Sequence, residues 1–283
     1  MADLSLPNVD GMYPVGQRPA LGAYLVEAWR RRQFAVTFAG HRLIGGLLQN
    51  RLGILWLVLR PLSLALIYGT LFSLILSDGA RPDGYAQYII IGICIFEFFT
   101  QSLLGGAKSI TSNGKLVQSL GFPRILLPVS IVIEESMKML PVAILTFVIL
   151  LAFGEPITWS WLLLFPLLAL MAVFNLGCAL IAARLSVHAR DVQLFIPIMN
   201  RVLFYATGIF FSVEGALAGQ PVILGIVQTI PTYGFVSIAR DLLLDSYTAP
   251  MIAWILAPAW ALVTIVVGVI YFWRAEARYG LGE

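Results

Sequence analysis

The stretch LFIPIMNRVLFYATGIFFSV (194–213) is apolar and long enough to cross a bilayer. The stretch behind it, EGALAGQPVILGIVQTIPTYGFVSIARDLLLDSYTA (214–249), is also largely apolar, but Pro221, Gly225 and Pro231 break it. A spanning helix needs about 20 consecutive apolar residues, and neither piece between those breaks reaches that length. Two short helices that enter the membrane and return fit the pattern. Irregular backbone at that depth is stable only where protein buries it or where it lines a wet cavity. A segment of this kind between two full spans predicts a passage.

The rest of the chain agrees with a membrane setting. Hydrophobic residues make up 59% of the 283 and charged residues 12%, and the mean hydropathy is +0.89. Soluble domains carry about twice that share of charge. The fold class expected is an all-α integral membrane protein. It has six transmembrane helices, an N-terminal amphipathic interface helix and two short re-entrant helices before the last span. Cys94 and Cys178 both fall in apolar runs and read as packing residues. No metal site is expected.

Residues 1–19 are Pro/Gly-rich and polar and read as a flexible tail. In ALGAYLVEAWRRRQFAVTFAGHRLIGGLLQNR (20–51), Leu21, Leu25, Trp29, Phe38, Leu43 and Leu47 gather on apolar faces at helical spacing, with arginines between them. That suits a helix lying in the headgroup layer. The six-span domain covers 52–275. Its spans run about 53–77, 85–107, 125–153, 159–183, 194–213 and 250–273. Arg60 can snorkel at the edge of the first. A tail, 276–283, follows.

Lys/Arg bias sets orientation. With the N-terminus inside, fourteen basic residues fall in inner segments, only Arg81 and Arg240 fall outside, and Lys138 and Arg201 lie within spans. Both termini are therefore expected in the cytoplasm. The loop 108–124 becomes cytoplasmic and the broken segment 214–249 faces out.

At this point the sequence is similar to a known family. QNRLGILWLVLRPL (49–62), NGKLVQSLGFPRILLPVS (113–130), ARDVQLFIPIMNRVLFYATGIFFS (189–212) and IPTYGFVSIARDLLL (230–244) resemble, in order, four stretches of the membrane subunit of bacterial ABC exporters. These are the exporters of polysaccharides and polyol phosphates, the Wzm and TarG type. Glu97 and the first twenty or so residues depart from the family's pattern. The resemblance implies a homodimer that pairs with two copies of a separate ATP-hydrolysing subunit in the bacterial inner membrane. The cargo it implies is a lipid-linked glycan of O-antigen, capsule, teichoic acid or galactan type. It also implies that loop 108–124 docks on the ATPase subunit, and that the paired short helices form an outer gate containing Pro221, Pro231, Tyr233, Arg240 and Asp241.

The residues themselves support part of this. No G-x-x-x-x-G-K-[ST] occurs; the nearest piece, GGAKS at 105–109, has the wrong glycine spacing. No cofactor is expected on this chain, so ATP and Mg belong to the partner subunit. Lys115, Leu116, Val117, Gln118, Ser119 and Leu120 can form a short helix stopped by Gly121 and Pro123, with Arg124 after it. Such a helix can transmit a push from the partner; a plain solvated loop is the alternative.

Five charges fall inside spans: Glu97, Glu134, Glu135, Lys138 and Arg201. Each costs about 2.5–3.5 kcal/mol or more facing lipid at mid-bilayer, so each should face protein or water. Glu134 and Lys138 have the i, i+4 spacing of an intrahelical ion pair. Counted along their spans at about 1.5 Å per residue, Glu97 and Arg201 reach nearly the same height. One polar layer is the expectation, lining the passage or tying helices around it. Aromatic residues crowd the same region. Tyr68, Phe72, Tyr88, Phe96, Phe98, Phe99, Phe204 and Tyr205 are candidates, with Glu97 and Arg201, for the path of a sugar polymer, because sugar rings stack on aromatic faces. Packing and interface-belt roles are the alternative.

Competing functions are a permease for a drug or small lipid, a membrane-embedded enzyme acting on lipid-linked sugars, and a receptor. Enzyme chemistry needs clustered acids, histidines or a metal. His41 and His188 are far apart in sequence, and Asp241 with Asp245 is the only outer acidic pair at helical spacing.

Overall fold

A computed structural model describes residues 19–48, 51–53, 55–75, 82, 84–119, 122–276 and 279. The expected tail over 1–18 and most of that over 276–283 lie outside the described residues, as does Leu120. The described chain is helical. It consists of α1 (Leu21–Arg30), α2 (Arg32–Leu48), α3 (Leu55–Ile75), α4 (Tyr85–Lys108), α5 (Gly114–Ser119), α6 (Leu126–Ala152), α7 (Leu164–His188), α8 (Val192–Ala206), α9 (Val213–Ala216), α10 (Pro221–Gln228), α11 (Pro231–Leu243) and α12 (Met251–Trp273). A 3₁₀ turn, Trp159–Leu163, leads into α7 and extends its apolar run.

Among the described residues five helices are long and apolar enough to span: α3, α4, α6, α7 with its 3₁₀ lead-in, and α12. Their runs of Leu, Ile, Val and Phe suit lipid, and the helical backbone pairs most of its polar groups internally, which lipid demands. Helix α4 is largely buried, whereas α3 is largely exposed. The second span is thus the axis of the bundle, and the first lies on its rim. Around α4 pack α3, α6, α7, α8 and α11, and α12 lies along α7.

Small residues allow that last contact. A Cβ on Gly177 would come within 2.3 Å of the Thr264 backbone, and one on Gly268 within 2.6 Å of the Gly177 carbonyl. Membrane helices approach closely where side chains are absent, because dispersion rather than hydrophobic exclusion holds them together.

Two expected elements differ. The interface helix is two helices, with a turn at Arg31. Tyr24, Ala35 and Ala39 are the buried positions, while Trp29 is exposed. The expected fifth span, 194–213, is the 15-residue α8 and is too short to count as a span by length. It stops because Thr207 and Gly208 turn the chain, with Gly208 at φ +67°, a conformation that favours glycine.

Beyond the turn, α10 and α11 meet at 85°. Each begins with proline, which fits the first helical turn because its missing N–H has no partner there anyway. The broken pair read from the sequence is therefore present as two short helices before α12.

Replacing Gly177 by Val is expected to force α7 and α12 apart. The loss should be about 1–3 kcal/mol or more, read as a lower thermal unfolding midpoint of the detergent-solubilised protein.

Candidate functional site

Three regions carry the chemistry. At one end of the bundle α1, α2, α5 and the residues after α12 come together. Tyr24, Ala35, Ile110, Val117, Ile125, Leu126, Phe272 and Tyr279 share one apolar cluster there. Helix α5 stands where the sequence places it. Its Lys115 is exposed, Leu116 is half-buried and Val117 is buried. Val117, expected among the coupling residues, is buried and anchors α5 inward. Leu120 and the side chains of Gln118 and Ser119 lie outside what the structure describes. Arg124 is also turned inward: its guanidinium donates to the Glu276 carbonyl at 2.6 Å.

Burial pushes the Glu276 carboxyl above its usual range. The Arg124 backbone N–H, the Tyr24 hydroxyl and the Arg124 charge pull it partly back. Burial first, then the Glu276 charge, pushes the Tyr24 hydroxyl up as well.

Further into the bundle lies an ion network. Glu134, buried on α6, receives the Arg42 Nε at 2.7 Å and the Lys138 Nζ at 2.7 Å. Lys138 also reaches Glu135 at 2.7 Å. Glu97 on α4 receives the Arg60 guanidinium at 3.1 Å and the Gln101 amide at 2.7 Å. Three carboxylates thus face three cations, which suits groups removed from water. A cavity of about 260 Å³ lies among α2, α3, α4 and α6, with Trp56, Arg60, Glu97, Gln101, Glu135 and Lys138 in its wall.

The expected polar layer is present in part. Glu97, Glu134, Glu135 and Lys138 come together, but Arg201 does not join them. It is exposed on α8 and donates to the Tyr68 hydroxyl at 3.2 Å. Counting residues gave Arg201 and Glu97 similar heights; it could not show that they face different sides of α4's neighbours. Sequence reasoning assigned Arg42 to the headgroup layer and Arg60 to snorkelling, and so missed both as partners of Glu134 and Glu97. The i, i+3 spacing of Glu135 and Lys138 was the available signal for Glu135.

The aromatic candidates divide. Tyr68, Phe72, Phe96, Phe204 and Tyr205 belong to one cluster around Phe210, with centroid spacings such as 4.5 Å for Phe72–Phe210 and 5.2 Å for Phe96–Phe204. Tyr68 and Phe204 pack edge to face, as do Phe204 and Tyr205. Tyr205 is the exposed member. Phe99 is buried against Phe174, and Phe98 is buried in the core.

At the opposite end sits the third region. Arg240, expected on the outer surface, is instead 1% exposed. It donates to the carbonyls of Tyr88, Gly208 and Ile209 at 3.1–3.2 Å, and its guanidinium lies 3.3 Å from the Tyr88 ring centroid. A side chain at Gly92 would meet that guanidinium at 2.6 Å. The Tyr88 hydroxyl donates to Gly208 and Phe211, and Tyr85 donates to Phe210. These donors satisfy the carbonyls freed where α8 ends.

A charge-bias argument counts arginines as watery loop residues, so it could not see this one as an internal clamp. The Tyr233 hydroxyl donates to Glu214, and Asp241 accepts from the Trp254 indole at 3.2 Å. Pro221 and Pro231 open α10 and α11. Among the described residues no group of His, Cys, Asp and Glu is placed to hold a metal.

The comparisons give this arrangement a family. The model of the ABC-2 type transporter matches residues 39–244, from α2 to the end of α11. The chain belongs to the ABC-2 type transporter family. This ABC-2 type chain is 28% identical over 164 residues to the O-antigen export system permease protein RfbA of Klebsiella pneumoniae, covering 58% of the chain and 62% of the relative. It is 27% identical over 164 residues to the O-antigen export system permease protein RfbA of Myxococcus xanthus, with the same coverage. The chain spans about three fifths of the length of the curated relatives it matches.

The ion network of this ABC-2 family member makes a sharp prediction. Lys138→Met leaves Glu134 and Glu135 without their shared cation. It is expected to destabilise the fold by about 3–5 kcal/mol. Adding Glu135→Leu should recover part of the loss, measured by denaturant unfolding in detergent.

Proposed function

We propose that this chain is the transmembrane subunit of an ATP-driven exporter that moves a lipid-linked polysaccharide out of the cytoplasm. It works as a homodimer with two copies of a separate ATP-binding subunit, in the bacterial inner membrane, with both termini cytoplasmic.

The carrying observation is the face shared by α3 and α8. Both helices leave long apolar side chains exposed, among them Leu66, Ile67, Leu71, Ile198 and Val202. In the middle of that face stands Arg201, roughly 14 Å from the start of α8 at about 1.5 Å per residue. Among the described residues it has no carboxylate partner and donates a hydrogen bond to the Tyr68 hydroxyl. An arginine at that depth against lipid is strongly unfavourable. A wet passage or a second copy on this face removes the penalty. The aromatic cluster behind Arg201 gives such a passage a wall on which sugar rings stack.

Family membership supports the transporter class, and the relatives named for O-antigen export support the glycan cargo. The exposed Lys115 on α5 supports docking of a partner at the end where Pro19 and Glu276 lie. Broken α10 and α11 at the other end, pinned through Arg240, support an outer gate.

Arg201→Gln tests the passage. The variant should assemble as the unsubstituted chain does and lose export at least tenfold, with the lipid-linked polymer accumulating inside the cells. Loss of assembly with no polymer accumulating would make Arg201 a structural residue and remove the main support for the reading.

A further inference from the structure

We propose that Glu276 is a positioning residue that makes α5, α1 and α12 move as one body. The inference rests on the export reading, because it concerns how a push on α5 reaches the spans.

Glu276 lies just past the end of α12 and is almost fully buried. One carboxylate oxygen accepts the Arg124 backbone N–H at 3.0 Å. The other accepts the Tyr24 hydroxyl at 2.7 Å. Tyr24 in turn accepts the Ile125 N–H at 3.1 Å. The Glu276 carbonyl takes the Arg124 guanidinium, whose Nε finds no other acceptor among the described residues.

One residue therefore joins three elements far apart in sequence. These are the N-terminal helix, the loop between α5 and α6, and the end of the last span. Hydrogen bonds to an ionised group are the strong ones, and low local dielectric strengthens them further.

The neighbouring contacts make the junction stiff. The Tyr279 hydroxyl donates to the Phe272 carbonyl at 3.1 Å, and the two rings lie 4.7 Å apart. The Trp273 indole donates to the Pro19 carbonyl at 2.9 Å. Val117 ties α5 into the same apolar cluster as Tyr24, Phe272 and Tyr279. Without the Glu276 carboxylate, the loop after α5 keeps one hydrogen bond to α1, from the Ile125 N–H to the Tyr24 hydroxyl, and one to the end of α12, from the Arg124 guanidinium to the residue-276 carbonyl. The group that ties all three together is gone, and the apolar packing that remains is not directional.

The geometry also separates two routes. The connection to α6 is covalent, because Arg124 and Ile125 run directly into it. The connections to α1 and α12 meet at Glu276, whose carboxylate holds Tyr24 and the Arg124 N–H together, beside the direct Ile125–Tyr24 bond. Removing the carboxylate should therefore weaken the coupling of α1 and α12 while leaving α6 coupled.

Hydrogen–deuterium exchange on the purified complex of this chain with its ATP-hydrolysing subunit reads this directly, with and without Mg-ATP. In the unsubstituted complex, Mg-ATP should change exchange in residues 110–119, 20–30 and 270–276. In Glu276→Ala the response at 110–119 should remain, and the responses at 20–30 and 270–276 should fall at least threefold. Glu276→Gln keeps an oxygen for the Arg124 N–H and should restore more than half of the response at 270–276. A Glu276→Ala complex that responds fully in all three segments overturns the inference.

If Glu276→Ala does not assemble, Tyr24→Phe decides. It removes a single hydroxyl, and an undiminished response at 20–30 then overturns the inference. If no ATP-hydrolysing subunit accompanies the unsubstituted chain, the export reading fails first and this one fails with it.

Discussion

A polar group carried into hydrocarbon has no water to meet it, so the protein must supply a partner or leave the group facing a wet surface. Most of this structure follows from that constraint. Helix α8 ends early, inside the apolar part of the chain, and so frees carbonyls at Gly208, Ile209, Phe210 and Phe211. Arg240, Tyr88 and Tyr85 answer them. Arg240 can do so only because Gly92 leaves room on α4. The same rule organises the other half of the bundle, where Glu134 is held from two sides by Arg42 of α2 and Lys138 of its own helix. That bond fastens the N-terminal helices to the spans. Arg201 is the exception, a cation on an open face with a hydroxyl beside it.

The two ends of the molecule differ in kind. One end is continuous: α1, α5, the start of α6 and the last turn of α12 share an apolar cluster and one buried carboxylate. The other end is segmented, with α9, α10 and α11 as short pieces joined at turns. Force applied at the continuous end is shared among several spans at once. The segmented end can rearrange piece by piece, because turns separate its short helices. In the proposed exporter those properties suit the driven end and the gated end of a passage.

Much of this was legible in the sequence, and the failures share a cause. Five of the expected spans, the short helix after the second span and the broken pair before the last follow from run length and from proline and glycine punctuation. Those signals are local. The i, i+4 spacing marks Glu134 and Lys138 as partners, and residue counting along a helix also gives depth. It does not give azimuth, so Glu97 was matched in height with Arg201 although its partner is Arg60 on a neighbouring helix. It also assumes an unbroken helix, and the turn at Gly208 removed that assumption for the fifth span. The charge bias places Arg240 on the outer side, and the resemblance places Val117 in the loop that docks on the ATPase subunit; neither shows that these side chains are buried. Burial by elements more than a hundred residues away, or by several helices together, leaves no mark in a local window. Glu276 escaped notice for the same reason: its partners, Tyr24 and Arg124, are 252 and 152 positions distant.

The central claim is that the open α3/α8 face belongs to a paired molecule driven by a separate ATPase. Native mass spectrometry of the protein purified from its own membrane in mild detergent tests it most directly. The account predicts a mass equal to two copies of this chain plus two copies of an ATP-binding subunit. A single chain, stable alone and without an ATP-binding subunit, would contradict it.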